Sequence, residues 1–221
     1  MSTTRRNFLA TVAAGVAAAQ QAGGSVKRFV RYRAGSATSY GILDGETIRE
    51  IRGNMFEKYS ETGARRKLAD VKLLWPCEPP KVLAVGLNYK SHLGNREAPK
   101  APEIFFKLTT CLVEPEGYIV TPPGAKNMHY EGELVIVMGR KAKNVSAAEA
   151  PTYIFGYSCG NDVSERDWQR GDLQWWRAKG SDTFAPLGPC IATGLDIPKS
   201  RLTLRLNGEV KQTQLISDLL F

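Results

Sequence analysis

The sequence predicts a mostly β fold of the α+β class, and three observations carry that prediction. Glycine and proline number 21 and 12 in 221 residues, a turn-rich composition that suits strands better than a helix bundle. The apolar stretches are mostly of strand length and end in turn residues. Asn207-Gly208 separates two of them and is a strong signal for a two-residue hairpin. Hydrophobic residues at 43% and charged residues at 24% argue against a disordered or fibrous chain. No apolar run approaches the about 20 residues of a membrane-spanning helix.

The chain opens on Thr3-Thr4-Arg5-Arg6-Asn7-Phe8-Leu9, followed by the small apolar run 10–19. A cationic start, a short apolar stretch and small residues near Ala17–Ala22 have the form of a cleavable export signal. Paired arginines before Phe-Leu resemble the twin-arginine type, so residues 1–22 are set aside as an export signal with a periplasmic destination. Residues 23–76 are expected to form a small N-terminal β unit and linker. Arg28–Arg33 alternates, Tyr40–Leu43 is apolar, Asp44-Gly45 supplies a hairpin turn, and Thr47–Ile51 returns. Glu57–Leu74 is polar and charged, and reads as a helix or loop bridging two units. Trp75-Pro76 and Pro79-Pro80 stiffen the boundary.

The second unit, 77–221, reads as a series of strands: Val82–Gly86, Ile104–Lys107, Tyr118–Thr121, Leu134–Gly139, Ile154–Cys159, Cys190–Thr193, Leu202–Leu206 and, past the hairpin turn, Glu209–Gln214. Short helices are expected at Ser146–Ala150, where Ser146 and Glu149 have capping-box spacing, and at Ser164–Gln169. The net charge of +8 comes from 30 basic and 22 acidic side chains. No zinc-finger spacing, basic heptad helix or basic–aromatic stripe accompanies it, so the charge reads as a soluble surface and not as a nucleic-acid site. Cys77, Cys111, Cys159 and Cys190 are far apart, without a CxxC pair. Each lies in or beside an apolar stretch, as a buried free thiol would.

Chemistry concentrates at a few positions. Tyr130-Glu131-Gly132-Glu133-Leu134 leads into an apolar strand, and residues i and i+2 of a strand share a face. Glu131 and Glu133 either form a solvated strand mouth or need a cation or proton between them. Asp162 ends the apolar run 154–161, where it either caps the next helix or joins the two glutamates around a hard divalent ion such as Mg²⁺ or Mn²⁺. Two histidines and scattered cysteines disfavour zinc. His92 follows the turn Gly86-Leu87-Asn88-Tyr89, and is either an exposed histidine or a reactive one. His129 lies beside the acid pair as a loop residue. Lys179 sits before a polar loop, either solvated or aimed at an anionic substrate.

Val85-Gly86-Leu87-Asn88-Tyr89 with His92, Tyr130–Leu134, Asn161-Asp162-Val163-Ser164-Glu165-Arg166-Asp167 and Lys179-Gly180-Ser181-Asp182-Thr183-Phe184 together resemble the fumarylacetoacetate hydrolase family, in order and spacing, from about Lys81 onward. The resemblance implies a β-roll catalytic domain, usually a homodimer, preceded by a small N-terminal β unit. It implies Mg²⁺ or Mn²⁺ on Glu131, Glu133 and Asp162, and His92 as general base. It also implies that Tyr89, Lys107, Gln169, Lys179 and Thr183 face a small oxo-acid substrate. Where many relatives carry a glutamate three residues after the histidine, this chain has Asn95. Glu97 is therefore the candidate acid to support His92. The family pattern continues beyond Phe221, so the catalytic domain is expected to be C-terminally incomplete. The implied activity is hydrolysis of C–C bonds in acylpyruvates and related β-diketo acids. The alternatives are isomerisation or decarboxylation of related oxo acids on the same site, or a catalytically impaired ligand-binding relative.

Overall fold

The computed structural model describes residues 25–221; the expected export signal at 1–22 lies outside them. Strands β1 (Lys27–Ala34), β2 (Ala37–Asp44) and β3 (Thr47–Gly53) form a meander, as their alternation and the turn at Asp44-Gly45 predict. Gly45 takes the positive-φ position of that turn, at φ 57°. The segment expected as a helix or loop, Glu57–Leu74, instead supplies β4 (Tyr59–Lys67), paired antiparallel with β3, and the short β5 (Lys72–Leu73), paired with β1. The correction has a physical cause. β4 is an edge strand, so it needs no apolar alternation, and its arginines and lysine are the charges that discourage pairing with a further chain.

After the prolines come β6 (Val82–Gly86), the short helix α1 (Lys90–Leu93), β7 (Glu103–Lys107) and β8 (Leu112–Val113). There follow β9 (Met128–His129), β10 (Gly132–Met138), β11 (Ile154–Asn161) and β12 (Ser164–Glu165). Helices α2 (Arg166–Gly171) and α3 (Trp176–Gly180) lead to β13 (Ala185–Thr193) and the hairpin β14 (Arg201–Leu206) and β15 (Glu209–Leu215). Tyr118–Thr121, expected as a strand, is irregular; Val120 donates its N–H to Thr183 Oγ1 at 2.8 Å and not to a ladder. The Ser146–Glu149 capping box forms, with Ser146 Oγ 2.6 Å from Glu149 Oε2. It closes only a turn and a 3₁₀ stretch, because Pro151 and Ile154 carry the chain straight into β11.

The two expected units share one sheet. Its strand order is β10-β11-β13-β1-β2-β3-β4, with β5 attached to β1 and β8 to β13. β1 meets β13 through Lys27↔Thr193, Arg28↔Ala192 and Phe29↔Ile191. One face of this sheet packs Phe29, Ile42, Ile51, Val137 and Ile191 together; the other packs Val30, Tyr32, Ile48, Leu68, Leu73 and Cys190. All four cysteines are free, and only Cys159 is exposed. Among the described residues no helix is long and apolar enough to cross a membrane.

Candidate active site

Sheet register assembles the site. β10 and β11 are antiparallel with Gly132 opposite Asn161, so Glu131, just before β10, lies beside Asp162, just after β11. The backbone ties them further: Asp162 N–H donates to the Glu131 carbonyl at 2.8 Å, and Glu131 N–H to Asn161 Oδ1 at 2.9 Å. Two acids 31 positions apart in sequence thus become neighbours, with Glu133 on the same strand face as Glu131.

Asp162 is not the cap of the following helix. Glu165 has that place, accepting from Trp168 N–H at 2.6 Å, and also from Asn127 N–H at 2.7 Å and Lys126 N–H at 3.1 Å. The fully buried Glu165 carboxylate therefore pins the start of α2 to the loop that leads to Glu131. Those backbone donors overcome its burial and hold its pKa below the ordinary value.

Lysine side chains occupy the space among the acids. The Lys179 ammonium, 4% exposed, donates to Glu131 Oε2 at 2.5 Å and to Asp162 Oδ2 at 2.8 Å, and it lies 5.2 Å from the centre of the Phe105 ring. Lys107, equally buried, donates to Asp162 Oδ1 at 2.5 Å and to the Lys179 carbonyl. Arg166 pairs with Glu131 Oε1 and donates to Gln169 Oε1 at 2.7 Å. Burial alone would raise the Asp162 carboxyl, but the two ammoniums outweigh it and hold it below the ordinary value. Burial draws Lys107 below the usual lysine value, and the Asp162 charge opposes that draw.

Glu133 has no ion-pair partner among the described residues. Burial first, and then the charges of Glu131 and Asp162, push its carboxyl up to about 8. The Tyr89 hydroxyl is buried and faces Glu133; burial, and then the Glu133 charge, raise its pKa.

The three acids meet one test of a hard-cation site and do not meet another. All are oxygen donors brought to one end of the β10–β11 pair, and Glu133 makes no ion pair there among the described residues. Among the described residues, however, no three acidic, histidine or cysteine side chains stand close enough to close around one ion. Lys179 is the positive group between Glu131 and Asp162. The donor set alone, three carboxylates, is of the kind that suits Mg²⁺ or Mn²⁺.

The remaining expected residues lie around this knot. His92 is exposed on α1, its ring centre 5.9 Å from that of Tyr89. Glu97 is exposed and makes no ion pair with it among the described residues. Gln169 reaches the site through Arg166. Thr183 takes a positive φ of 70°, as do Leu87 at 52° and Trp175 at 58°; such backbones in non-glycine residues are strained and collect at functional loops. His129 bonds Asn127 at 3.0 Å, outside the acid cluster. Arg166 is the site residue that spacing alone did not assign. Nothing local marks it, since its pairing depends on where α2 begins.

Residues 81–221 match the family model described as fumarylacetoacetate (FAA) hydrolase C-terminal, and residues 27–76 match that described as Rv2993c-like, N-terminal. Oxaloacetate tautomerase Fahd2a of Rattus norvegicus is 38% identical over 203 residues, covering 82% of this chain and 65% of its own length. The chain thus spans less than two thirds of that relative. A 2-hydroxyhepta-2,4-diene-1,7-dioate isomerase from Mycobacterium marinum superposes with a TM-score of 0.81 at 42% identity, over 88% of this chain and 77% of that one. A maleylpyruvate hydrolase from Sphingobium sp. SYK-6, in complex with manganese(II) and pyruvate, gives 0.69 at 25% identity, over 87% and 78%.

Proposed function

The chain belongs to the fumarylacetoacetate hydrolase family, and from that footing we propose that it is a divalent-metal-dependent tautomerase or isomerase of small 2-oxo acids. Hydrolysis, the activity the motifs first suggest, is the second reading. Two things support the order. The tautomerase and isomerase relatives are closer, at 38% and 42% identity, than the hydrolase at 25%. The residues agree: hydrolysis needs a base strong enough to activate water, and His92 has no carboxylate behind it, since Asn95 replaces the usual acid and Glu97 does not pair with it. Moving a proton between carbon and oxygen of an acidic oxo acid asks less of the base.

The observation that carries the proposal is the buried ammonium of Lys179 held against Glu131 and Asp162, beside a Glu133 that makes no ion pair among the described residues. In this reading Glu131, Glu133 and Asp162 hold Mg²⁺ or Mn²⁺. The bound ion would supply Lewis-acid stabilisation of the charge that develops on the substrate's enolate oxygen. Lys179, released from the carboxylates, turns its ammonium to the same oxyanion. Arg166 and Gln169 orient the substrate carboxylate. His92 takes the proton from the carbon next to the carbonyl, and the imidazolium so formed delivers it to the enolate oxygen; the reverse path carries it from that oxygen back to carbon. Lys107 stays on Asp162 and keeps it ionised. Export of the folded enzyme and a homodimeric state belong to the same proposal; the mass of the periplasmic chain and its sedimentation check them.

The test follows the enol band of oxaloacetate with Mn²⁺ and with excess chelator, alongside cleavage of acetylpyruvate. We expect metal-dependent loss of the enol band, and no cleavage. Cleavage without acceleration of the tautomer exchange would reverse the order of the two readings. Calorimetry that finds no Mn²⁺ binding would remove both.

A further inference from the structure

Helix α1, which carries His92, has four residues and no cap of its own. Tyr89 holds the N-cap position and makes no side-chain bond there, so the first N–H groups of the helix need acceptors from elsewhere. One comes from 127 positions away: Asp218 Oδ2 accepts from the Ser91 N–H at 3.1 Å and from Ser91 Oγ at 2.7 Å. The residues that follow Asp218 are fastened to the same loop. Leu219 forms a bridge with Tyr89, Leu220 N–H donates to the Asn88 carbonyl at 2.9 Å, and Phe221 N–H donates to Asn88 Oδ1 at 3.1 Å. Arg96 closes the other end of α1, donating to the carbonyls of His92 at 2.7 Å and Leu93 at 3.2 Å.

The imidazole itself forms no hydrogen bond with another side chain among the described residues. A general base is ordinarily oriented by a partner on its second nitrogen. Here the backbone of α1 does that work, and the backbone is held by Asp218. A carboxylate is also the favoured group at a helix N-terminus.

We infer that Asp218 is a positioning residue for His92, holding α1 so that the imidazole stays against Tyr89 at the edge of the acid cluster. The inference rests on His92 being the base. It adds that the base is oriented from the segment after β15 and not by an acid on its own helix, which explains how the site tolerates Asn95.

The test compares Asp218→Ala, Asp218→Asn and His92→Ala in the Mn²⁺-loaded full chain, with amide exchange at Ser91 and His92 read on the same samples. The asparagine keeps an oxygen that both Ser91 donors can use. Asp218→Ala should lower kcat by about tenfold or more with KM little changed, as expected for a misplaced base, and should speed exchange at both amides. Asp218→Asn should recover both readouts to within about threefold. Ser91→Ala loses only the hydroxyl bond, and should move kcat the same way by less; it serves if Asp218→Ala does not fold. Full activity in Asp218→Ala beside a dead His92→Ala overturns the positioning role. Equal damage in the alanine and asparagine variants also overturns it. An active His92→Ala overturns the base assignment instead, whatever Asp218 does to exchange.

Discussion

Glu131 and Glu133 look equivalent as an ExE pair, and their surroundings make them opposites. Glu131 is answered by Lys179 and Arg166, while Glu133, half-buried, faces two like charges and makes no ion pair of its own among the described residues. That asymmetry predicts how the metal-free protein responds to pH. Folded Glu133 keeps its proton up to about 8, whereas an unperturbed glutamate releases it near 4.5. Between those values the folded state binds more protons, so its contribution to stability is full below about pH 4.5 and is lost as pH rises to about 8. Thermal unfolding in chelator should show stability declining over that window, with the slope reduced in Glu133→Gln; an unchanged slope would show that another group sets it. The three acids themselves were legible from the i, i+2 spacing and the strand end at Asp162. Their cations were less so. Lys107 and Lys179 were visible as candidate substrate contacts, but nothing in the spacing says that both converge on Asp162. That pairing of residues 55 and 17 positions apart is decided by sheet register and by the placement of α3.

Among the elements, those with a strong local signal form as read. Asn207 and Gly208 take φ values of 53° and 86°, as a type I′ hairpin requires, and Leu206 faces Glu209 across the turn. β4 was hidden because an exposed edge strand shows charge where a half-buried strand shows alternation. The Asp162–Asp167 stretch was legible as a strand end followed by a helix, but the choice of cap was not: Asp162 is the favoured residue type, and Glu165, which is not, takes the position. The cap makes a clear prediction. Glu165→Ala would leave the Lys126, Asn127 and Trp168 N–H groups without their carboxylate. The cost should be about 2–4 kcal/mol, the scale of a buried charged acceptor and a helix cap lost together. Because Asn127 leads to Glu131, Mn²⁺ affinity should weaken as well. Urea titration and calorimetry check the two effects, and a variant as stable as the parent would refute the first.

Over the whole molecule, the division at Trp75-Pro76 is a boundary in sequence that the sheet ignores. The β1–β13 ladder and the shared packing of Phe29, Val137 and Ile191 join strands from both sides. The protein should therefore unfold in one transition, and Phe29→Ala should shift that transition by about 3–5 kcal/mol, the usual range for removing a buried aromatic ring. Separate melting of the first four strands in scanning calorimetry would contradict this. The same ladder has a consequence for synthesis. The β1–β2–β3–β4 meander can form as soon as it leaves the ribosome, yet the strand that completes its open side begins 118 residues after the meander ends, at Ala185 against Lys67. Through that interval the Lys27–Phe29 end of β1, which β5 does not cover, waits as an exposed edge, the kind of surface that recruits stray chains. Lys27 and Arg28 lie along it. Part of the surplus positive charge thus falls where a nascent chain most needs repulsion, guarding an unfinished sheet until its late partner arrives.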